Sequence, residues 1–274
     1  MRLFLLTALT MVAFAANSVL NRLALADGAI GPGDFAAIRL SAGAVILWIL
    51  VQIGTGPRLP RLQPVGAAAL LVYVLGFSYA YTSLETGVGA LILFGGVQFT
   101  MFAGAALSRE QMPPARWIGA LVAFGGLVYL LWPGGAAAPE LLGSALMIAA
   151  ALGWGVYSLH GRGAVDPVAA TASNFIYATP IGLAVALLWP DLEPLQMKGV
   201  WLAVVSGALT SGLGYALWYS VLPRLPATVA GTAQLTVPII ALGGGILFLG
   251  EAISLRFGIA SVLVLGGVAL SLRK

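Results

Sequence analysis

The chain has 274 residues, 60% of them hydrophobic and 8% charged, against roughly 25% charged in a soluble domain; at a mean hydropathy of +1.01 it carries too little charge to wet a globular surface. It contains no cysteine and a single histidine, His160, which removes disulfide frameworks, thiolate catalysis, Cys-ligated metals and every motif that needs two histidines. The net charge of +4 comes from Lys and Arg scattered singly between apolar runs, so a nucleic-acid face is not expected and the basic excess reads as membrane orientation.

Runs of about 20 mostly apolar residues, the length that crosses a bilayer core, recur between Gly, Pro and charged breaks. They predict helices over 3–23, 34–53, 64–84, 87–107, 116–131, 141–160, 167–188, 199–222, 228–249 and 256–272. The fold class is therefore an all-α polytopic membrane protein of ten transmembrane helices. Turn punctuation falls between them at Gly31-Pro32-Gly33, Gly56-Pro57, Met112-Pro113-Pro114, Pro133-Gly134-Gly135 and Pro223 with Pro226. The opening stretch to Ala13-Phe14-Ala15 resembles a cleavable signal, but the apolar run continues through Asn17 and Asn21 and is read as the first helix.

Ten helices put both termini on one side. That side receives Arg2, Arg58, Arg61, Arg109, Arg116, Arg162, Arg224, Arg273 and Lys274, while the other has Arg22, Lys198 and Arg256. The asymmetry predicts cytoplasmic termini in a bacterial-type inner membrane.

An internal repeat is expected as well. Glu110 with Gly125-Gly126 recurs 141 positions later as Glu251 with Gly266-Gly267; Leu84, Val88 and Gly104 meet Leu225, Val229 and Gly245, and Arg22 meets Arg162 at an offset of 140. Two five-helix repeats, 1–132 and 140–274, follow. Because five is odd, the second copy enters the membrane from the opposite side, the arrangement that supports alternating access about a midplane site.

Polar groups inside hydrocarbon are costly and each asks for a functional reading beside a packing one. In the first helix Asn17 and Asn21 share a face, as cavity lining or interhelical glue. In the second, Arg39 either snorkels to the surface or serves as a counter-charge for a solute carboxylate or a gate partner of Asp34 or Glu85. The third supplies Phe77, Ser78, Tyr79, Tyr81 and Thr82, and the fourth supplies Gln98. Trp154, Tyr157 and Ser158 line one face of the sixth, and Asn174 and Tyr177 lie on the seventh. The eighth presents Ser211, Tyr215 and Trp218 as a stripe with Tyr219 at its edge, a cavity wall unless Trp218 and Tyr219 belong to the interfacial belt.

The ninth helix carries the backbone signal. Pro238 has no amide hydrogen for the carbonyl of Gln234, so a kink is expected there, with Gln234 and Thr236 beside it. Gly243, Gly244 and Gly245 permit bending or close contact. Gly207/Ser211 and Gly119/Ala123 are small-residue packing pairs. Glu110 and Glu251 fall at helix ends where water is available, which favours gating or structural roles. No well-buried carboxylate is apparent, so proton coupling is not indicated. One cavity is expected to gather Tyr79, Trp154, Tyr157, Ser211, Tyr215, Trp218 and Gln234.

Five short motifs carry a family resemblance: Ala16-Asn17-Ser18 with Asn21-Arg22, Ala36-Ala37-Ile38-Arg39, Tyr79-Ala80-Tyr81-Thr82-Ser83-Leu84, and the helix-turn signatures ending in Glu110 and Glu251. On these the chain resembles the EamA-type ten-helix permeases of the drug/metabolite transporter superfamily over essentially its whole length. It departs from them in the fourth helix, where Val97 stands opposite Pro238. The resemblance implies export of small organic metabolites, often amino acids or related amphiphilic compounds including aromatic ones. It implies no enzyme activity, no cofactor and no metal; the expected partners are a small solute and the bilayer, and the oligomeric state is left open. A nucleotide-sugar or lipid-sugar carrier of the same superfamily is the nearest alternative, for which more intramembrane cations than Arg39 are expected. A channel lacks its filter motif, and an intramembrane enzyme lacks its nucleophile elbow and paired histidine.

Overall fold

A backbone amide surrounded by hydrocarbon has no water to bond, so an apolar chain satisfies its amides by winding into helices. The computed structural model of the chain describes residues 1–55, 61–107, 114–133, 138–161, 164–221, 224–225 and 233–271. Among these the regular structure is entirely helical: α1 (Arg2–Leu25), α2 (Pro32–Thr55), α3 (Pro64–Ala80), α4 (Thr86–Leu107), α5 (Pro114–Leu131), α6 (Leu141–Gly161), α7 (Pro167–Leu188), α8 (Met197–Val221), α9 (Thr236–Leu249) and α10 (Leu255–Ser271). Six of them, α1, α2, α5, α6, α7 and α8, are long and apolar enough to cross a membrane, whereas α3, α9, α10 and the stretch Thr86–Thr100 of α4 are shorter apolar helices. Glu110 lies outside the described residues, as do Arg58, Arg109, Arg162, Arg273 and Lys274 of the charge count.

Local sequence explains the helix ends. Pro64 and Pro167 open α3 and α7, where a missing amide hydrogen costs nothing. The Asp166 carboxylate accepts the Ala169 amide at 3.0 Å, an N-cap. Gly250 takes a left-handed φ of 68° and reverses the chain after α9, bringing the Glu251 amide onto the Gly245 carbonyl at 3.2 Å.

Three features differ from the expected helices. The interruption expected at Pro238 is present and one residue long, at Leu235, whose φ of −67° and ψ of −16° stay in the helical region. Ala233 and Gln234 are helical and Leu235 is a turn. A new helix starts at Thr236, so Pro238 falls in a first turn whose amides lack intrahelical partners in any case. The predicted start at 228 lies outside the described residues. In the middle of α8, Ser206–Leu213 is π-helical, a widening that hydrophobic periodicity does not reveal. Pro180 also sits inside α7.

Packing follows a pairing scheme. α5 lies on α10, α4 on α9 and α2 on α7; α3 packs on α6 as α1 does on α8, and α4 on α6 as α1 does on α9. Where α5 crosses α10, a methyl added to Gly119 would stand 2.4 Å from the Gly267 carbonyl oxygen, and one on Gly267 2.5 Å from the Ala123 amide nitrogen. These small residues therefore let the two backbones touch.

Polar contacts between helix ends fix their directions. The ends of α1, α3 and α9 meet the start of α4 through Arg22, Tyr81, Thr82, Glu251 and Thr86. Asp191 after α7 meets the start of α2, Asp27 after α1 meets Lys198 of α8, Ser83 meets Glu140 before α6, and Arg256 of α10 meets the last carbonyls of α5. Each helix of the first five thus runs antiparallel to the one five places later.

Candidate functional site

Arg39 is fully buried in the middle of the bundle. It does not snorkel, nor does it pair with Asp34 or Glu85; among the described residues no acidic side chain meets it. Its Nε donates to Ser211 Oγ at 2.9 Å. Its Nη2 donates to the hydroxyls of Tyr73 and Tyr215, both at 3.1 Å. The rings of Tyr73 and Phe77 lie 5.3 and 5.1 Å from the guanidinium carbon, close enough for cation–π attraction. Nη1 is buried without a partner. A guanidinium offers five donors and cannot shed its proton, so three neutral hydroxyls and two ring faces leave its charge uncompensated.

The supports of Arg39 form a polar core around the π-helical segment. Ser211 Oγ also accepts from Asn17 Nδ2 at 3.2 Å. Asn17 Oδ1 takes the hydroxyls of Ser206 and Thr210 at 2.5 and 3.0 Å. Asn21 Nδ2 donates to the Asn17 carbonyl at 2.8 Å, and Asn21 Oδ1 accepts from Ser78 at 3.2 Å. The widened turn is what places Ser206, Thr210 and Ser211 together against α1 and α2. A methyl on Gly207 would lie 2.2 Å from the Arg39 carbonyl oxygen, so only glycine lets α8 come this close to α2.

Beside Arg39 an aromatic chamber is lined by Phe14, Asn17, Tyr73, Phe77, Leu93, Phe94, Trp154 and Tyr215 and encloses about 10 Å³, roughly one water. Trp154 lies 4.9 Å from Tyr73 and 4.8 Å from Tyr215, and Tyr157 stacks on it at 5.5 Å. Phe14 meets Trp218 at 5.8 Å.

Both ends of this chamber are closed. Toward the ends of α6 and α8, Tyr219 stands against Gly161 and the Asn174 amide against Gly66; the Tyr157 hydroxyl neighbours Thr171, Asn174 and Tyr219. At the opposite end the Glu251 carboxylate accepts the Thr86 amide and hydroxyl at 2.9 Å, capping α4, and lies 3.7 Å from Arg22 Nε. Arg22 Nη1 donates to the Tyr81 and Thr82 carbonyls at 2.9 Å. Asp191 similarly accepts the Asp34 amide at 2.9 Å at the start of α2. Nearby, burial and then the negative charge of Glu251 push the Glu85 carboxyl above its usual range, with Arg22 opposing. The backbone amides of Gly143 and Leu142 hold Glu140 below it.

Of the residues singled out in the sequence, Asn17, Trp154 and Tyr215 line the chamber; Arg39, held by Ser211, stands directly behind the lining residues Tyr73, Phe77 and Tyr215, and Asn21, Ser78, Tyr157 and Trp218 support it from behind. Trp218 and Tyr219 are buried and so are not belt residues. Tyr79 does not reach the chamber; its hydroxyl lies beside Gly33 and Asp191 at the start of α2. Ser158 bonds the Trp154 carbonyl within its own helix. Gln98 and Gln234 are half-buried and neither lines the chamber. Gly244 packs on Val19, and a methyl on Gly243 would meet nothing within 4 Å. Glu251 sits at a helix end as expected, yet its side chain is only 8% exposed, because the turn at Gly250 folds it onto α4.

Sequence reasoning missed Phe14, Tyr73, Leu93 and Phe94. Two signals were present: Phe14 precedes Asn17 and Asn21 on one helical stripe, and Tyr73 lies one turn before Phe77.

Comparison with known proteins accords with this architecture. The chain is 46% identical over 272 residues to the uncharacterized protein PA1977 of Pseudomonas aeruginosa, covering 99% of this chain and 94% of that one. It is 24% identical over 124 residues to the uncharacterized transporter YoaV of Bacillus subtilis, a match to 43% of this chain and 42% of that one. A solved chain described as "Crystal structure of protein" superposes with a TM-score of 0.64 at 22% identity, covering 96% of this chain and 97% of the other, a likeness of fold. The EamA-like transporter family matches residues 1–132 and again 141–273. With two matches that together span nearly the whole chain, this multi-pass membrane protein belongs to the EamA-like transporter family.

Proposed function

We propose that the protein is a secondary transporter that exports small carboxylate-bearing metabolites, foremost amino acids with aromatic or other amphiphilic side chains, across the inner membrane by alternating access. The observation that carries this reading is Arg39: a fully buried guanidinium with one nitrogen unpartnered, held against an aromatic chamber. A carboxylate supplies two acceptor oxygens matched to the paired N–H donors of a guanidinium edge, and an apolar or aromatic side chain would lie among Phe14, Trp154 and Tyr215. The nucleotide-sugar and lipid-sugar alternative is less favoured, because Arg39 is the sole fully buried cation among the described residues.

Alternating access is supported by the closures at both ends of the chamber and by the antiparallel relation of each helix to its counterpart five places on. The symmetric pairing scheme supports two inverted repeats, 1–132 and 140–274. The charge distribution supports cytoplasmic termini, and export follows the family likeness.

The test is flux in proteoliposomes, comparing radiolabelled aromatic and aliphatic amino acids with the amines obtained by removing their carboxyl group, with and without a pH gradient. Saturable movement of the acids and not of the amines is expected. Equal transport of the amines would remove Arg39 from the binding role, and preference for phosphorylated sugars would select the alternative.

A further inference from the structure

A net exporter faces a step that an exchanger does not: after releasing its solute it must close and return empty. Here that step requires Arg39 to be sealed in the bundle without the anion that would neutralise it, and a buried, unpaired charge is strongly disfavoured. The chamber is nonetheless sealed around little more than the volume of one water, and the pattern of bonds shows how.

Nη2 gives both of its hydrogens to protein, one to Tyr73 and one to Tyr215. The two hydroxyls also bond each other, Tyr215 donating to Tyr73 at 3.1 Å. They come from α3 and α8, counterpart helices, and stand 142 positions apart, close to the offset that relates the two halves of the sequence. Each half thus contributes one oxygen, and the pair forms only where the halves meet. A carboxylate binding end-on to a guanidinium uses the edge between Nη1 and Nη2. Nη1 is unpartnered and Nη2 is held by the hydroxyl pair, so solute and tyrosines compete for one nitrogen, while Ser211 on Nε holds the guanidinium throughout.

We propose that the paired hydroxyls of Tyr73 and Tyr215 are a built-in substitute for the solute carboxylate, letting the empty transporter close over Arg39 and so complete net export instead of exchange alone. This rests on the carboxylate reading of Arg39. It makes Tyr73, which sequence reasoning passed over, a determinant of transport mode. In the loaded state the solute takes the hydroxyls' place on Nη2; in the empty state the hydroxyls take the solute's.

The experiment uses the full-length protein in proteoliposomes loaded with a radiolabelled aromatic amino acid, measuring efflux into buffer with and without the same unlabelled amino acid outside. The wild type, Tyr73→Phe and Tyr215→Phe are compared. Efflux into plain buffer needs the empty return, whereas exchange does not. Losing one hydrogen bond to a charged group shifts an equilibrium by about tenfold, so each variant is expected to show about a tenfold higher ratio of exchange to net efflux than the wild type. External solute should raise the efflux of each variant by a larger factor than that of the wild type, and the KM should not rise, because a competitor for Nη2 has gone. Equal loss of exchange and net efflux, or a raised KM with an unchanged ratio, would overturn the proposal and leave the hydroxyls with a purely structural role. If one variant fails to insert or fold, the other decides, since each hydroxyl holds Nη2 separately. Absence of saturable amino-acid flux in the wild type is a different result: it would defeat the functional reading on which this inference stands.

Discussion

Lysine in place of Arg39 would keep a positive charge at the centre of the bundle but lose the planar fork that reaches Ser211, Tyr73 and Tyr215 together. An ammonium has three donors on one atom and cannot bond these hydroxyls and both oxygens of a carboxylate at once. Arg39→Lys is therefore expected to raise the KM for amino acids about tenfold or more, as loss of a charge-assisted hydrogen bond implies, with the purified variant still folded. A KM within twofold of wild type would show that the guanidinium geometry is not read by the solute. The arginine itself was legible in the sequence as an unusual intramembrane charge. Its direction was not: snorkelling and burial are equally open to a residue near a helix start, and the choice depended on hydroxyls contributed by α3 and α8.

Among the elements, the crossing of α5 with α10 depends on absent side chains. A leucine at Gly119 would force its Cβ to within 2.4 Å of the Gly267 carbonyl oxygen, whereas Gly125 faces open space on the same helix. Gly119→Leu should lower stability in detergent by about 1–3 kcal/mol, the usual cost of overpacking, and Gly125→Leu should leave it nearly unchanged; a matched pair of melting curves checks both. The start of α4 is held differently, by the Glu251 carboxylate on the Thr86 amide and hydroxyl, favoured by the helix dipole. Glu251→Gln weakens that cap and the attraction to Arg22, so the closure at this end should open more often. A cysteine replacing Ser78, buried in the wild type, should then label faster with a membrane-impermeant thiol reagent in Glu251→Gln than in the parent. Equal labelling rates would make Glu251 a static cap. The interruption before Pro238 belongs at this scale as well. Proline chemistry forecast an interruption, but its exact place depended on where the new helix found its first turn.

For the molecule as a whole, the proposed orientation rests on the uneven distribution of Lys and Arg, and the acidic residues offer a way to test it. Asp27, Asp34, Glu85, Glu140, Asp191, Glu193 and Glu251 gather at the end opposite the start of α1, where Lys198 and Arg22 are among the few cations. The chain has no native cysteine, so single cysteines report sidedness directly. Leu192→Cys, fully exposed after α7, should label from outside intact cells, and Val165→Cys, fully exposed before α7, only after permeabilisation. The reverse pattern would invert the assigned topology. Two carboxylates at this acidic end also make stability depend on pH, with opposite signs. Glu140 titrates below its ordinary range, so the stability it adds is present above the unfolded-state value and is lost as pH falls through its lowered folded value. Glu85 titrates above its range, so its contribution is present while it is protonated and is lost as pH rises through its raised value. At neutral pH, Glu140→Gln should therefore lower the melting temperature and Glu85→Gln should raise it. The Glu140 difference should fade on acidification below the carboxylate range. A pH-independent difference for either variant would remove its charge as the cause.

The sequence alone determined the all-helical membrane class and the order of the helices seen among the described residues, because each apolar run must satisfy its own backbone in hydrocarbon and composition records that demand residue by residue. It also marked where the polar groups of the interior would come from, since Asn17, Arg39, Trp154, Ser211 and Tyr215 stand out against their neighbours. Only the tertiary structure decided which of them meet. The partners of Arg39 lie 34, 172 and 176 positions away, and no local periodicity encodes a bond between helices so distant in the chain. The π-helical turn in α8 lies where Gly207 lets that helix approach the backbone of α2, and the fold-back of Glu251 onto α4 follows the left-handed turn at Gly250; each becomes meaningful only through the helix it meets.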